Sequence, residues 1–153
     1  MIIMIERTFL MFKPDAVQRG IMGRIMCRLE DKGFKPIAMK LMRIPRELAE
    51  RHYGEHKGKS FYEPLLEYIT SGPSLCMVWE GDNIISVMRN MMGVTNPQDA
   101  SSGTIRGDFG QQTGRNIIHG SDSPETAKRE IELFFNDYEL QSYGMSVDRW
   151  LFE

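Results

Sequence analysis

Asn116-Ile117-Ile118-His119-Gly120-Ser121-Asp122-Ser123, followed by Pro124-Glu125-Thr126-Ala127, is the stretch from which the rest of the chain can be read. Apolar positions run into a histidine and a glycine, then into three small polar residues and a proline, the pattern of a strand that feeds a helix start. Ser123 is placed as the N-cap and Pro124 as the first helical residue. His119 would then lie beside a helix N-terminus, whose free N–H groups and positive dipole end favour a bound anion and disfavour imidazolium. A neutral imidazole in that setting can attack phosphorus and carry the phosphoryl group covalently. In the helix that follows, Ala127, Ile131, Phe134 and Phe135 form an apolar stripe at i, i+4, i+7, i+8. Glu130 falls on the edge of that stripe, where its carboxylate is held near the core and can orient an imidazole.

The remaining segments supply what such a site needs. Thr8 to Phe12 is a strand that ends at Lys13-Pro14-Asp15, so Lys13 can project a point charge into a cleft mouth. Ile21, Ile25 and Leu29 mark an amphipathic helix stopped by Gly33. Phe34 to Ile44 is a strand, and Pro45 opens a helix from Arg46 to His52. Ser60-Phe61-Tyr62-Glu63 reads as a capping box, with Ser60 as N-cap and Glu63 at N3, starting a helix that stops at Gly72-Pro73. Phe61 is an aromatic in its first turn, either a staple against the core or a flat platform for a nucleobase. Leu75 to Trp79 is a strand, and Gly81-Asp82-Asn83 turns it into a helix that buries Ile84, Ile85, Met88, Met91 and Met92, with Arg89 off that side. Gly93 to Arg115 lacks clear periodicity, and its Thr95, Arg106 and Arg115 suit a phosphate-binding loop. Strand, helix, strand, short helices, strand, helix, loop, strand, helix is a repeated split β-α-β. It predicts an α+β ferredoxin-like sandwich, a four-stranded antiparallel sheet with helices packed on one face.

The chain has 153 residues, enough for a single domain over 1–153 with its own core. A net charge of −2 leaves no polybasic footprint for nucleic acid or an anionic membrane. Met1-Ile2-Ile3-Met4-Ile5 is apolar but has no basic flank and stops at Glu6-Arg7; it is neither a signal peptide nor a membrane span, so the expected compartment is the cytoplasm. Cys27 and Cys76 have no metal-ligand spacing and are expected to be buried, reduced thiols. His52-Tyr53-Gly54-Glu55-His56 matches the H-x-x-E-H pattern of one class of zinc peptidases. Gly54, however, weakens the required helix by about 1 kcal/mol relative to alanine, and surface histidines at a helix end are the expected reading. Asp108-Phe109-Gly110 copies the protein-kinase triplet without the elements that accompany it, and no Walker A or G-x-G-x-x-G pattern is present, so phosphate must be held by side chains and loop amides. The apolar end Trp150-Leu151-Phe152-Glu153 suggests docking on the body or on a neighbouring subunit.

Asn-x-x-His-Gly-Ser-Asp-Ser at residues 116–123 resembles the active-site signature of nucleoside diphosphate kinases, and the resemblance extends over essentially the whole chain. It covers Glu6-Arg7-Thr8-Phe9, Lys13-Pro14-Asp15, Val17-Gln18-Arg19-Gly20, Lys32-Gly33-Phe34, Ser71-Gly72-Pro73, Val78-Trp79-Glu80-Gly81, Thr95-Asn96-Pro97 and Gly103-Thr104-Ile105-Arg106-Gly107-Asp108-Phe109. The resemblance implies transfer of the γ-phosphate of a nucleoside triphosphate, typically ATP, to a nucleoside diphosphate. The mechanism it implies is ping-pong through a phosphohistidine at His119, with broad tolerance of base and sugar. On these positions it implies that Glu130 and Ser121 orient the ring, that Lys13 reaches the transferred group and the ribose, and that Asn116 meets the sugar hydroxyls. Arg89, Thr95 and Arg106 would grip phosphates, Tyr53 would line the transfer point, and Phe61 would stack under the base with Thr113 opposite. A magnesium ion (Mg2+) would be held mainly by the nucleotide, with Asp122 reaching it through water. The implied assembly is a homo-oligomer, usually a hexamer and sometimes a tetramer. Two positions depart from the pattern: Ala16 stands where glycine is common, and Thr113 stands where relatives often carry an aliphatic side chain, which leaves base-side packing open.

Overall fold

The computed structural model describes residues 2–153, so Met1, the first residue of the apolar opening, lies outside the described residues. The chain runs β1 (Ile5–Phe12), α1 (Pro14–Gln18), α2 (Met22–Asp31), β2 (Lys35–Met42), α3 (Arg46–His52), α4 (Tyr62–Ile69), β3 (Ser74–Asp82), α5 (Ile84–Met92), α6 (Ile105–Phe109), β4 (Ile118–Gly120), α7 (Pro124–Phe134) and α8 (Asp148–Leu151). The strands form one sheet in the order β2-β3-β1-β4 with antiparallel neighbours throughout. β3 is inserted between β1 and β2, and β1 between β3 and β4, which is the split β-α-β arrangement twice over and the ferredoxin-like α+β fold expected from the element order.

Helices cover both faces of the sheet, not one. Leu10, Phe12, Met77 and Trp79 pack with Ile25 and Leu29 of α2 and with Ile84, Met88 and Met92 of α5. On the other face Phe9, Met11, Cys76 and Val78 pack with Ala49 of α3, Leu66 and Ile69 of α4, and Phe134 of α7. A strand buried on both sides has no reason to alternate apolar with polar residues, which is why Phe9-Leu10-Met11-Phe12 is an unbroken apolar run.

Local chemistry sets most element ends. The Ser123 hydroxyl accepts the Thr126 N–H at 3.1 Å with Pro124 in the first helical turn, as the sequence predicts. Ser123→Ala should therefore cost about 1 kcal/mol, measurable as a shift of the urea midpoint with an unchanged m value. The capping box at Ser60 does not form. α4 starts at Tyr62, whose N–H bonds the Lys59 carbonyl at 3.0 Å, and Glu63 turns outward to Arg46 at 2.6 Å. Inside the segment read as a loop, α6 is capped by Thr104, whose hydroxyl accepts the Gly107 N–H at 3.1 Å. Cys76 is buried, but Cys27 is exposed: two positions beyond the buried Ile25, it falls on the outer side of α2. At the C-terminal end Leu151 lies over Gly33, where a Cβ would meet Leu151 Cδ2 at 2.8 Å, while Trp150 stays 77 % exposed.

Candidate active site

The approach to His119 is a tight, strained turn, not the continuous strand that the sequence suggests. Ile117 has φ +78°, and the Ile118 N–H bonds the Asn116 carbonyl at 2.8 Å, which makes residues 116–118 a γ-turn of the rare positive-φ kind. A β-branched residue in that region costs about 1–3 kcal/mol and persists only where its surroundings enforce it. Here the Lys13 N–H donates to the Ile117 carbonyl at 2.8 Å, and the Ile117 N–H donates to Asp15 Oδ2 at 3.1 Å. The other Asp15 oxygen accepts the Tyr68 hydroxyl. The turn delivers His119 opposite Met11 of β1. Gly120 then lets β4 pass, since a Cβ there would meet Met92 Sδ at 2.6 Å.

His119 Nε2 lies 2.6 Å from Glu130 Oε2, and the Ser121 hydroxyl donates to Glu130 Oε1 at 2.7 Å. Glu130 is buried and both its oxygens are engaged, so Nε2 carries the ring proton and Nδ1 keeps its lone pair. The His119 side chain remains 23 % exposed. The carboxylate that holds it comes from the middle of α7, as the stripe of that helix predicts, and a second imidazole packs against it from the end of α3.

The contact from α3 is His52, and it corrects the expectation of a surface histidine. His52 is 4 % exposed, its ring edge-on to His119 at 4.7 Å and 82°. Its Nδ1 lies 3.3 Å from Glu130 Oε2 without the alignment of a hydrogen bond, and neither ring nitrogen has a partner. Burial first, then the neighbouring His119, Arg129, Lys13 and His56, hold His52 well below the ordinary imidazole range, so it is neutral. The signal was its helical phase: His52 is three residues after the buried Ala49 and shares its face. His56 lies elsewhere, with Nδ1 3.3 Å from Lys59 Nζ and Nε2 3.7 Å from Glu55. Among the described residues the group that converges on one point is His52, His119 and Glu130, so the zinc-peptidase pairing of His52 with His56 is not built.

His119 opens onto a cleft of about 690 Å³, and Lys13, Tyr53, Phe61, Arg89, Thr95, Arg106, Thr113 and Asn116 all line it. Ser121 and Glu130 stand behind the ring. The Lys13 ammonium donates to Asn116 Oδ1 at 2.7 Å, and the Asn116 amide donates to the Thr95 carbonyl at 3.0 Å. Arg89 donates to the Gly120 carbonyl at 3.2 Å. Arg106 is buried and donates to three carbonyls, of Asn116 at 3.2 Å, Gly93 at 3.0 Å and Ile118 at 2.7 Å. Among the described residues none of these three cations has a carboxylate within 4.0 Å. Burial, and then the Arg106 charge, bring Lys13 down from 10.5 to about 8, with Asp15 opposing. Burial, and then Arg89, bring Arg106 down to about 10. Uncompensated positive charge of this kind, focused in a cleft, is a site for anions.

Phe61 is 48 % exposed on the cleft wall, which removes the staple reading and leaves a free aromatic face. The Tyr53 hydroxyl is buried without a partner, and burial pushes its ionisation up. Tyr68 and Arg115 also line the cleft, the guanidinium 4.0 Å from the ring centroid; of the two, the sequence marks only Arg115. Asp122 is exposed and lines a neighbouring depression with Glu6, Asn83 and Arg89, not this cleft. No carboxylate is among the lining residues, so the cleft walls offer no oxygen cage for magnesium, and the cleft suits an ion already carried on phosphates.

Residues 6–140 match the family described as "Nucleoside diphosphate kinase". A nucleoside diphosphate kinase of Carboxydothermus hydrogenoformans is 61 % identical over 148 residues, covering 97 % of this chain and 99 % of the relative. One of Pelotomaculum thermopropionicum is 59 % identical over the same length and coverage. Among solved structures, a halophilic nucleoside diphosphate kinase from Halobacterium salinarum in complex with CDP superposes with a TM-score of 0.96 at 50 % identity. That match covers 98 % of this chain and 100 % of the other.

Proposed function

Because this chain belongs to the nucleoside diphosphate kinase family and is an enzyme of that kind, we propose that it moves a γ-phosphate between nucleotides by a ping-pong route through His119. The single observation that carries this reading is an imidazole tethered through Nε2 to a buried carboxylate, opening onto a cleft with three cations that lack carboxylate partners. In the first half-reaction Nδ1 attacks the γ-phosphorus, the bond to the β–γ bridging oxygen breaks, and the diphosphate leaves. Positive charge that grows on the ring is met by Glu130 through the Nε2 proton, and Ser121 holds the other carboxylate oxygen. Lys13, Arg89 and Arg106 face the phosphoryl oxygens, so catalysis is positioning and charge stabilisation. In the second half-reaction a terminal oxygen of an acceptor diphosphate attacks the phosphorus and the N–P bond breaks.

Thr95 adds a hydroxyl to the phosphate grip, Asn116 and Lys13 serve the sugar, and Tyr53 gains a partner for its hydroxyl at the transfer point. Phe61 stacks under the base with Thr113 opposite; stacking contributes about 1–3 kcal/mol without reading the base, so purines and pyrimidines are both accepted. Magnesium enters as part of the magnesium–nucleotide substrate, held mainly by the phosphates; Asp122, in the neighbouring depression that Arg89 also lines, meets it only through water. The chain works as a single domain in the cytoplasm, and among the described residues no helix is long and apolar enough to cross a membrane. Met39 and Leu41, exposed on the edge strand β2, and Trp150 support assembly into a homo-oligomer, with the hexamer the expected count.

Incubation with γ-labelled ATP should give an acid-labile phosphoprotein whose label chases onto each nucleoside diphosphate added later. Transfer that requires both nucleotides at once, with no labelled protein, would overturn the reading. The Lys13 setting adds a pH signature. A lysine whose folded pKa of about 8 lies below its unfolded value makes the folded chain bind fewer protons, so stability rises with pH between about 8 and 10.5. Nucleotide affinity runs the other way, because the ammonium that meets phosphate is lost above about 8. We expect kcat/KM to fall about tenfold per pH unit above that point, and Lys13→Gln to remove that limb; a flat profile to pH 9 would contradict it.

A further inference from the structure

We propose that His52, His119 and Glu130 form a site for a zinc-type divalent cation, and that an ion held there switches the enzyme off. One ligand atom from each residue lies within 4.8 Å of the others. The independent sign of a missing partner is His52, an imidazole buried to 4 % exposure with neither nitrogen hydrogen-bonded, its Nδ1 turned to the same carboxylate oxygen that His119 uses. Two neutral imidazoles and a carboxylate are a recurrent zinc set, with ligand atoms about 2.0–2.1 Å from the ion and a fourth position left to water. Tetrahedral ligands at that range stand about 3.3 Å from one another. The His52 to Glu130 spacing is already 3.3 Å, the His119 to Glu130 spacing of 2.6 Å opens by about 0.7 Å, and the two imidazole nitrogens, within 4.8 Å of each other, settle at the same range on binding. The cleft that His119 lines gives access and supplies the water. Magnesium, which demands oxygen ligands, does not compete for two imidazoles.

The chemical consequence follows from the ring tautomer. The ion takes the Nε2 lone pair, and the ring proton moves from Nε2 to Nδ1. A neutral imidazole has one lone pair, so Nδ1–H can no longer attack phosphorus. Nothing is oxidised, and removal of the ion restores the original tautomer. Occupancy of the site does not depend on the function proposed above; the inhibition does, because it requires His119 to be the nucleophile.

The test uses the full chain without nucleotide, with Zn2+ in equilibrium dialysis and Co2+ as a spectroscopic stand-in. One ion per chain is expected, with the strong visible absorption of tetrahedral cobalt. His52→Gln and Glu130→Gln should each weaken binding by at least about 100-fold, while Glu55→Gln with His56→Gln leaves it unchanged. No stoichiometric ion, or binding that survives His52→Gln, overturns the site. If His52→Gln does not fold, as circular dichroism would tell, ¹⁵N shifts of the His52 and His119 rings during zinc titration of the unaltered protein decide it, and unmoved shifts overturn it. Zinc-loaded protein given magnesium and γ-labelled ATP should lose phosphoenzyme and regain it with EDTA. Full labelling of zinc-loaded protein refutes the switch, whereas absence of label without zinc refutes the phosphohistidine.

Discussion

His119→Ala is expected to abolish the phosphoenzyme and to lower kcat on the order of 10⁶-fold, the scale seen when a covalent nucleophile is removed. Nucleotide binding should change little, because Lys13, Arg89, Arg106 and Phe61 line the cleft independently of the ring. The substitution leaves Glu130 with the Ser121 hydroxyl as its hydrogen-bond partner, so the fold should survive. Equilibrium binding of a nucleoside diphosphate and acid-labile phosphate on the same preparation check both halves. An undiminished phosphoprotein would place the nucleophile elsewhere, and lost binding would make the ring a binding group.

Arg106→Ala should damage the fold and the chemistry together. Its guanidinium ties Gly93, Asn116 and Ile118 to one another, and these residues lie on the two arms of the long loop and at the start of β4. The Gly93 and Ile118 carbonyls are left without that donor, while the Asn116 carbonyl keeps the Ile118 N–H; at about 1–3 kcal/mol for each, the loss expected is about 2–5 kcal/mol, or about 10 °C in melting temperature. Arg106→Lys should recover only part of it, since one ammonium cannot span three carbonyls in a planar fork. Because the same residue brings charge to the cleft, kcat/KM should fall at temperatures where the protein is still folded. A variant with an unchanged melting curve and unchanged kinetics would refute both roles.

Legibility in the sequence followed the range of the forces involved. Ser123 with Pro124, the stripe of α7 and the burial of Glu130 are decided within a few residues, and the structure shows each. Ser60 failed for an equally local reason: Phe61 takes a helical conformation, φ −87° and ψ −2°, so the chain has already turned before the cap could act. α6, at five residues, is too short for any periodicity to reveal. His52 was hidden by a pattern match with His56, although its phase against Ala49 gave its burial. The two-sided sheet was encoded in the unbroken run of β1. What no local pattern contains is the pairing across the chain: Asp15 pinning Ile117, and Arg106 spending three donors on backbone. The sequence marks Arg106 as a cation near phosphate; only the packed chain makes it a strut as well.

The central claim is a choice of atom. Glu130 holds Nε2 of His119, so the phosphoryl group must form its bond to Nδ1. Phosphoenzyme made from protein with ¹⁵N-labelled histidine rings, observed by ³¹P–¹⁵N NMR, reads that bond directly. Coupling of phosphorus to Nδ1 of His119 is the result expected; coupling to Nε2, or phosphorus on any other side chain, would contradict it.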